Sequence, residues 1–492
     1  MQIPISQRNT NNHTAIVIGS SMAGLLSARV LADYFTEVII VERDTLPQQP
    51  ETRTGVPQAN HAHVMLAQGY RILEKLFPGI DAELSKAGAP RIDWTKEYTL
   101  FGFWGFHPHI ASDLITHTCS RAFLEWLVRR RLMSFENIKF QEKTQVRGLL
   151  TNNQNSQVRG VKLDHLDEDK EEELIADLVV DASGRNSQIP NWLKSMGYQA
   201  PEQTVINSFL GYSTCWYERP QDLQVDWKAI AVLYKPPHQK HGGVLLPVEG
   251  NRWAVTLAGI AKDYPPTDNN GFLECARNLR NSAIYDAIKD AKPISKVYSY
   301  RRTENCWHHY EKLARLPSGL IIIGDAVCAF NPVYGQGMTT AALSALTLQK
   351  CLQKGFNNST HTITELTGER RSAQTPTLHD GVPLTRKFPK QLAQVLKAPW
   401  LMATSDDFRW ETTEGGKPDE MTRFMHKYMD QVILLSVHQP QVYKVFSEVI
   451  HMIKPPTTLF APGIIFGVLK QMIKPKINPN SSDVLVNSTN EW

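Results

Sequence analysis

The sequence contains few cysteines and no long apolar run. Its 492 residues include six cysteines, and no two of them form a Cys-x-x-Cys pair. This scattered spacing argues against a disulfide framework and against structural zinc, and it predicts a reducing, cytoplasmic environment. No apolar run reaches the length of a membrane-spanning helix, and residues 1–13 lack the apolar core of a signal peptide.

The chain also lacks a large excess of either charge and any internal repeat. A net charge of +4 is too small to indicate nucleic-acid binding. The composition, 42% hydrophobic and 21% charged, is that of an ordinary globular protein. The length exceeds that of one simple domain, so we expect two or three interleaved units.

A glycine-containing segment near the N-terminus predicts a phosphate-binding turn. Residues 15–26 read Ala-Ile-Val-Ile-Gly-Ser-Ser-Met-Ala-Gly-Leu-Leu, which indicates a buried strand, a turn and the start of a helix. Gly19 permits the tight turn, and Gly24 lets the helix approach the strand. The free N–H groups of such a helix start can bind a pyrophosphate. The usual fingerprint is G-x-G-x-x-G, and Ser21 stands here at the second glycine position.

A second predicted strand, residues 37–41, ends at an acidic residue. Glu42 follows Gly19 by 23 residues, which suits the carboxylate that binds a ribose 2′-OH. An ordinary strand–turn–helix that happens to be followed by an acidic residue would have the same sequence pattern. The N-terminal segment alone therefore leaves the cofactor open.

A second segment, about 300 residues later, resolves this ambiguity. Residues 320–338 place Asp325 after a buried strand, where its carboxylate can either accept from the ribityl hydroxyls of a flavin or cap a helix. Pro332 and the glycines at 335 and 337 precede a helix predicted over Met338–Leu352. The N-terminus of that helix would face the flavin N1/O2 edge and stabilise negative charge there. The two segments, in this order, point to FAD.

Further motifs extend this pattern. They are Glu42-Arg43-Asp44, Gly55-Val-Pro-Gln-Ala-Asn-His61-Ala-His63-Val, Ser120-Arg121-Ala-Phe-Leu-Glu125, Asp181-Ala-Ser-Gly184-Arg185-Asn-Ser187 and Asn331-Pro332-Val-Tyr-Gly335-Gln-Gly337-Met338. With them the chain resembles the FAD-dependent monooxygenases of the para-hydroxybenzoate hydroxylase fold. Within these enzymes it is similar to the branch of the polyether-type polyene epoxidases. The resemblance covers roughly residues 14–355.

The resemblance implies which residues bind FAD. Those expected along the adenosine and pyrophosphate are Gly19, Ser21, Gly24, Glu42, Arg43 and Arg121. Those expected at the ribityl chain and the flavin ring are Asp325, Gly337 and Met338. Two alternatives remain at the start of one helix, where Arg121 could be a solvated charge and Ser120 a helix cap.

The resemblance also implies the fold. We expect an α/β protein whose Rossmann-like FAD-binding domain, of the glutathione-reductase and para-hydroxybenzoate-hydroxylase type, is interleaved with an antiparallel-sheet substrate domain and followed by a helical C-terminal region with proline breaks. The expected boundaries are 14–200 and 301–355 for the FAD-binding domain, with an aromatic substrate-side excursion at about 80–115, 201–300 for the substrate domain, 356–478 for the helical region and 479–492 for a polar tail.

Two histidine pairs have the i, i+2 spacing that puts both rings on one face of a strand. They are His61 with His63 and His107 with His109. No third ligand stands nearby in the sequence, so we predict no metal site. The resemblance places residues 61–69 near the flavin edge. His61 and His63 are therefore candidates for steadying the flavin or relaying a proton, and simple packing is the alternative.

Residues 440–476 combine apolar side chains with five lysines and one glutamate. This composition suits an interfacial helix that makes a weak, peripheral membrane contact. It also suits a helix pair packed on the core. Prolines at 455, 456 and 462 interrupt any long amphipathic surface and favour packing on the core.

The resemblance implies the chemistry as well. NAD(P)H, acting directly or through a partner reductase, would reduce FAD, and oxygen would then form a flavin C4a-hydroperoxide that transfers one oxygen atom to an apolar substrate. The sequence shows no base constellation and the aromatic run 100–106 is apolar, which favours epoxidation of an isoprenoid or polyketide alkene. The alternatives are an aromatic-ring hydroxylase, a prenyl-chain reductase of the same fold and a flavin-free lipid carrier. A halogenase is disfavoured because its Trp-x-Trp-x-Ile-Pro signature is absent.

Overall fold

The structure is a computed structural model. It describes residues 13–168, 170–361 and 384–473, and for residues 354–361 it describes the helical backbone alone. The expected polar tail at 479–492 and parts of the expected helical region lie outside the described residues.

The strands come first in the chain and long helices follow. The strands are β1 Thr14–Ile18, β2 Glu37–Val41, β3 Arg91–Asp93, β4 Tyr98–Gly102, β5 Gly105–Phe106, β6 Ile115–His117, β7 Ile138–Gln141, β8 Thr144–Thr151, β9 Val158–His165, β10 Lys170–Ile175, β11 Leu178–Asp181, β12 Gln203–Ile206, β13 Gly211–Glu218, β14 Ala229–Val232, β15 His241–Val248, β16 Arg252–Gly259, β17 Tyr298–Tyr300, β18 Asn305–His308, β19 Leu320–Ile322 and β20 Cys328–Ala329. The helices are α1 Met22–Leu31, α2 Ala67–Leu76, α3 Ile80–Lys86, α4 Arg121–Leu132, α5 Ile189–Ser195, α6 Asn269–Arg277, α7 Ala283–Ile288, α8 Gly337–His361, α9 Leu384–Asp407, α10 Glu420–His438, α11 Pro440–Ile450 and α12 Pro462–Ile473.

A five-stranded parallel sheet forms the centre of the part that is expected to bind FAD, in the order β19-β11-β1-β2-β7. β1 and β11 are buried along their whole length, as expected of parallel strands covered on both faces. The helices α1 and α8 pack on this sheet and on each other. Because β1, β11 and β19 end at the same edge, the turns that follow them lie close together. The predicted α/β fold class is confirmed.

A second, mostly antiparallel sheet faces the first across a cleft. Its order is β17-β13-β16-β15-β14-β4-β5. Most of its strands come from residues 211–300, whereas β4 and β5 come from the aromatic excursion, and β4 pairs in parallel with β14. The excursion therefore extends this sheet instead of forming a unit of its own. Helices α6 and α7 cover the outer face of the sheet and form a separate core with it.

The C-terminal helices close the open side of the cleft. α10, α11 and α12 share a small apolar core of their own. The prediction that prolines break this region is wrong for α9, which continues through Pro389 and Pro399. A proline removes one backbone hydrogen bond, and both prolines are buried, so the apolar packing of their rings offsets that loss. α8 begins one residue before its predicted start and runs nine residues beyond its predicted end.

Within the described part of the chain, no helix combines the length and the apolar character that crossing a membrane requires.

Candidate active site

One cavity of about 1020 Å³ runs between the two sheets. It starts at the turn between β1 and α1 and ends under the C-terminal helices. The turns after β1 and β19 meet at its floor: a Cβ atom added to Gly324 would lie 2.6 Å from the Cβ of Ala23. The two segments that sequence reasoning assigned to one cofactor are therefore neighbours, and the cavity joins them.

The turn between β1 and α1 is tight because two glycines allow close backbone contacts. Gly19 has a φ of +95° and donates its N–H to the Val41 carbonyl at 2.8 Å. A Cβ atom on Gly24 would lie 1.9 Å from the Gly19 carbonyl oxygen, so no larger residue fits there without moving the backbone. The first helical hydrogen bond runs from Leu25 N to Ser21 O, which leaves the N–H groups of the first turn free at the cavity. Such a helix start binds anions.

Arg121 supplies a cation beside this helix start. Its guanidinium is buried, and Nη2 donates to Ser21 Oγ at 2.8 Å and pairs with Glu125 at 2.7 Å. Its Nη1 has no hydrogen-bond partner among the described residues. Ser120 is indeed a helix cap, because its side chain accepts from Phe123 N at 3.1 Å. Arg121 is thus not a solvated charge, and its unpaired donor fits a pyrophosphate oxygen.

Glu42 lies beneath the turn and outside the cavity lining. Its Oε2 accepts from Ser20 N at 2.9 Å and from Ser20 Oγ at 2.7 Å, and its Oε1 accepts from Asp44 N at 3.1 Å. The carboxylate therefore holds the turn in place, and a ribose contact through Oε1 stays a prediction. Arg43, by contrast, is exposed and lines the rim of the cavity.

Sequence reasoning missed Arg53. Its guanidinium is buried and lies 3.1 Å from Glu42, 2.8 Å from Asp44 and 2.8 Å from Glu125. These carboxylates outweigh the effect of burial and raise the pKa of Arg53. Arg53 thus connects Glu42 under the first turn with Glu125, the partner of Arg121. It stands in a loop without periodicity, so no spacing signal marks it.

Asp325 and the start of α8 form the other end of the expected cofactor site. Asp325 lies half-buried in the cavity wall. Desolvation raises the pKa of its carboxyl, and the positive charges of Arg185 and Arg121 offset only part of that rise. Gly335 has a φ of +64°, and Thr340 N makes the first helical bond, to Gln336 O at 2.9 Å. The N–H groups of the residues just before Thr340 are therefore free at the cavity wall. A Cβ atom on Gly337 would meet nothing within 4 Å, so space is open there for a flat ring.

The two histidine candidates separate in the structure. His61 is buried behind the cavity wall, where Nδ1 is 2.8 Å from Thr214 Oγ1 and the ring packs edge-on against Tyr212. Burial lowers the pKa of His61 to about 3. His63 lines the cavity, and burial lowers its pKa to about 4. Because His63 Nδ1 is 2.9 Å from the His61 carbonyl, which only accepts, Nδ1 carries the proton and Nε2 is an acceptor.

A cluster of carboxylates and phenols also borders the cavity, where sequence reasoning found no base constellation. Tyr234 donates to Asp406 Oδ2 at 2.8 Å, and Tyr334 donates to Asp407 Oδ1 at 2.7 Å. Burial raises the pKa of Asp407 to about 7. The sequence does not reveal this group because Tyr234 and Asp406 lie 172 positions apart and only the fold brings them together.

The far end of the cavity is largely apolar, although Ser405, Asp406 and His426 also line it. Its lining from the excursion and the second sheet includes Trp94, Tyr98 and Leu246, and α9 and α10 contribute Met402, Met425 and Met429. Methionines adapt to irregular ligands because their side chains are unbranched and polarisable. The run 100–106 divides between two roles: Leu100 and Phe103 line the cavity, whereas Phe101 packs against the separate core under the second sheet.

Comparison with known proteins agrees with this geometry. A family model described as an FAD-binding domain matches residues 12–373. Protein Rv3254 of Mycobacterium tuberculosis is 33% identical over 357 residues, which cover 70% of this chain and 74% of that protein.

Solved structures with the same fold share little sequence with the chain. The myxobacterial chondrochloren halogenase CndH is 14% identical, with 89% of this chain and 97% of that chain covered and a TM-score of 0.58. PqsL, a probable FAD-dependent monooxygenase from Pseudomonas aeruginosa, is 14% identical, with 71% and 88% covered and a TM-score of 0.53. The chain therefore belongs to the FAD-binding domain family and is a flavoprotein enzyme with the fold that flavin-dependent monooxygenases and halogenases share.

Proposed function

We propose that this flavoprotein is a monooxygenase that inserts one oxygen atom into an elongated apolar substrate. The observation that carries the proposal is the continuity of the cavity. One end has two free helix starts and an unpaired buried guanidinium, and the other end is an apolar chamber. A dinucleotide fits the first end, and an apolar molecule fits the second.

The chain's own residues would bind and orient the cofactor. Ser21 and Arg121 contact the pyrophosphate, and Arg43 lies along the adenosine. Asp325 accepts from the ribityl hydroxyls. The backbone N–H groups of Met338 and its neighbours meet the ring edge, where the positive end of α8 stabilises negative charge. Reduced FAD supplies the oxygen-transfer chemistry, with NAD(P)H as the electron donor, used directly or through a partner reductase.

Exclusion of water is the second task of the protein. Apolar side chains of the second sheet and of α9 to α11 form much of the chamber wall, and α10 and α11 cover the chamber. A dry chamber prevents hydrolysis and proton leakage during oxygen transfer. Overall, substrate, O₂, NAD(P)H and one proton would give oxygenated substrate, NAD(P)⁺ and water. An alkene requires no deprotonation, so the apolar, methionine-containing wall supports epoxidation of an isoprenoid or polyketide alkene.

Aromatic hydroxylation is the second candidate, and a specific observation favours it. Tyr234, Tyr334 and Asp406 line the cavity, and the hydroxyls of Tyr234 and Tyr334 lie 2.8 Å and 3.2 Å from the same Asp406 oxygen. A phenol substrate needs a group that accepts its proton, and a tyrosine–carboxylate chain can relay that proton. The buried Asp407, with its raised pKa, continues the chain away from the cavity.

One experiment tests the proposal and separates its two forms. The purified protein should show a flavin spectrum, and NADPH and NADH oxidation should be measured with polyenes and with phenols under ¹⁸O₂. We expect incorporation of one ¹⁸O atom into a polyene epoxide. A hydroxylated phenol would favour the second candidate, and halide-dependent product or reduction of the alkene without oxygen uptake would refute both. A colourless protein that fails to bind added FAD would exclude both enzyme activities and favour the flavin-free lipid carrier.

A further inference from the structure

The outer face of α12 is apolar and uncovered among the described residues. Ile464 and Val468 point inward, into the core that α12 shares with α10 and α11. The opposite side carries large side chains that face solvent: Ile465, Phe466, Leu469, Met472 and Ile473, of which Phe466 is 69% exposed and Ile473 is 82% exposed. Monomeric proteins rarely expose so many large apolar side chains on one helix face without a binding role.

The apolar surface continues from α12 onto α10. Gln471 donates to Gln431 Oε1 at 2.9 Å, and a Cβ atom on Gly467 would lie 2.8 Å from a Leu435 methyl, so the two helices run antiparallel. Phe424 precedes Gln431 by seven residues, so it lies on the same side of α10, about 10 Å further toward the N-terminus of α10 and past the described end of α12. Phe424 is itself 62% exposed.

The same surface reaches the mouth of the cavity. Met421, one helical turn before Phe424, both lines the cavity and is exposed to solvent. Leu401 on α9 likewise belongs to both the cavity wall and the surface. At Met421 and Leu401 the wall between this face and the chamber is apolar, so an apolar molecule can enter the chamber there.

Positive charge accompanies the apolar face. Lys427 lies between Phe424 and Gln431 on α10, Lys470 lies on α12, and both are exposed. α12 contains no acidic residue. On α10, Asp430 is neutralised by Arg409 at 2.8 Å, and Glu420 in the first turn is the acidic exception.

We propose that this surface docks the protein on an anionic phospholipid bilayer. The docking face consists of Met421, Phe424, Ile465, Phe466, Leu469, Met472 and Ile473. Its apolar side chains enter the boundary between headgroups and acyl chains, and its lysines contact anionic headgroups. The docked orientation places the cavity mouth at the bilayer, where an apolar substrate dissolves. Charge favours lipid over a second copy of the chain, because a self-paired face would bring like-charged lysines together.

The test uses the full chain and vesicles without substrate, so its outcome is independent of the proposed oxygenation. Vesicles of phosphatidylcholine with roughly one-third phosphatidylserine are separated by flotation. We expect wild-type protein to float with them, and more weakly at high salt. The double variant Phe466→Ser, Leu469→Ser should bind about a hundredfold more weakly, because two large side chains no longer leave water. Lys427→Gln with Lys470→Gln should bind about tenfold more weakly.

The matched control removes exposed apolar side chains elsewhere. Met133→Ser with Leu166→Ser changes two residues that are about half exposed, one directly after α4 and one on the β9–β10 turn. This control should float as wild type does, and all variants should retain FAD, which reports an intact fold. Wild-type protein that stays unbound, or equal loss in the control, would overturn the proposal. So would a dimer in light scattering that Phe466→Ser, Leu469→Ser dissociates, because the face would then be an interface between two copies.

Discussion

Replacement of Arg121 by glutamine tests the pyrophosphate site most directly. The variant removes a buried positive charge next to the start of α1, together with the unpaired Nη1 donor. A charge-assisted hydrogen bond contributes about 1.5–3 kcal/mol. Loss of one such bond should therefore raise the Kd for FAD about tenfold to a hundredfold. Glu125 keeps Arg53 as a partner at 2.8 Å, so the carboxylate is not left alone and the fold should persist.

Titration of the apo-protein with FAD, followed by quenching of flavin fluorescence, measures this change. Arg130→Gln is the matched control, because Arg130 lies on the same helix but its side chain is 55% exposed and pairs with Glu83. Thermal unfolding of the apo-proteins should show little difference between the two variants. The reasoning fails if Arg121→Gln binds FAD with the wild-type Kd, or if Arg130→Gln loses as much affinity.

Three further predictions concern the turn, the ring site and the buried acid. Gly24→Ala should lower the apo-protein Tm and abolish FAD retention, because the added Cβ would meet a backbone oxygen. Gly337→Ala should leave the apo-protein Tm unchanged and weaken FAD binding. Differential scanning fluorimetry with and without FAD measures both effects. Burial raises the pKa of Asp407 from 3.8 to about 7, so the contribution of Asp407 to the free energy of unfolding should be largest below pH 3.8 and fall by roughly 4 kcal/mol as the pH rises to 7. The difference between wild type and Asp407→Asn across a series of urea unfolding curves should follow that contribution. Tyr234→Phe should lower kcat on phenols about a hundredfold if Tyr234 relays the proton, with Tyr285→Phe on α7 as the control, and an unchanged kcat would remove it from the relay.

The turns and helix starts that line the expected cofactor site could be predicted from sequence because their signals are local. Gly19, Gly24 and Gly337 each stand in a turn or helix start that a short stretch of sequence marks, although the closest neighbour of Gly19 is the distant Ala182 backbone. Asp325 follows a predicted strand, and Arg121 begins a predicted helix. The parallel sheet then places both residues at the cavity. The same reasoning gave the α/β fold class.

Residues that depend on tertiary contacts could not be predicted. Arg53 is held by Glu42 and Asp44 at the start of its own loop and by Glu125 on α4, and no spacing signal in that loop distinguishes it. The pairing of Tyr234 with Asp406 joins the second sheet to α9. His61 and His63 stand two residues apart, yet one faces Thr214 and the other faces the cavity, because the chain between them does not form a strand.

This difference between local and distant contacts explains why the cofactor is clearer than the substrate. A dinucleotide is held mainly by helix starts and turns, and each of these is encoded in a short stretch of sequence. The substrate chamber is instead assembled from the excursion at β4, the second sheet and the helices α9 to α11, with most of its lining contributed by single apolar side chains. One apolar side chain can replace another without loss of packing, but the replacement changes the shape of the chamber. Proteins that share the FAD-binding turns can therefore differ in substrate. The substrate must therefore be inferred from the volume and polarity of the chamber, where a methionine-containing wall lies alongside a hydrogen-bonded tyrosine–carboxylate pair.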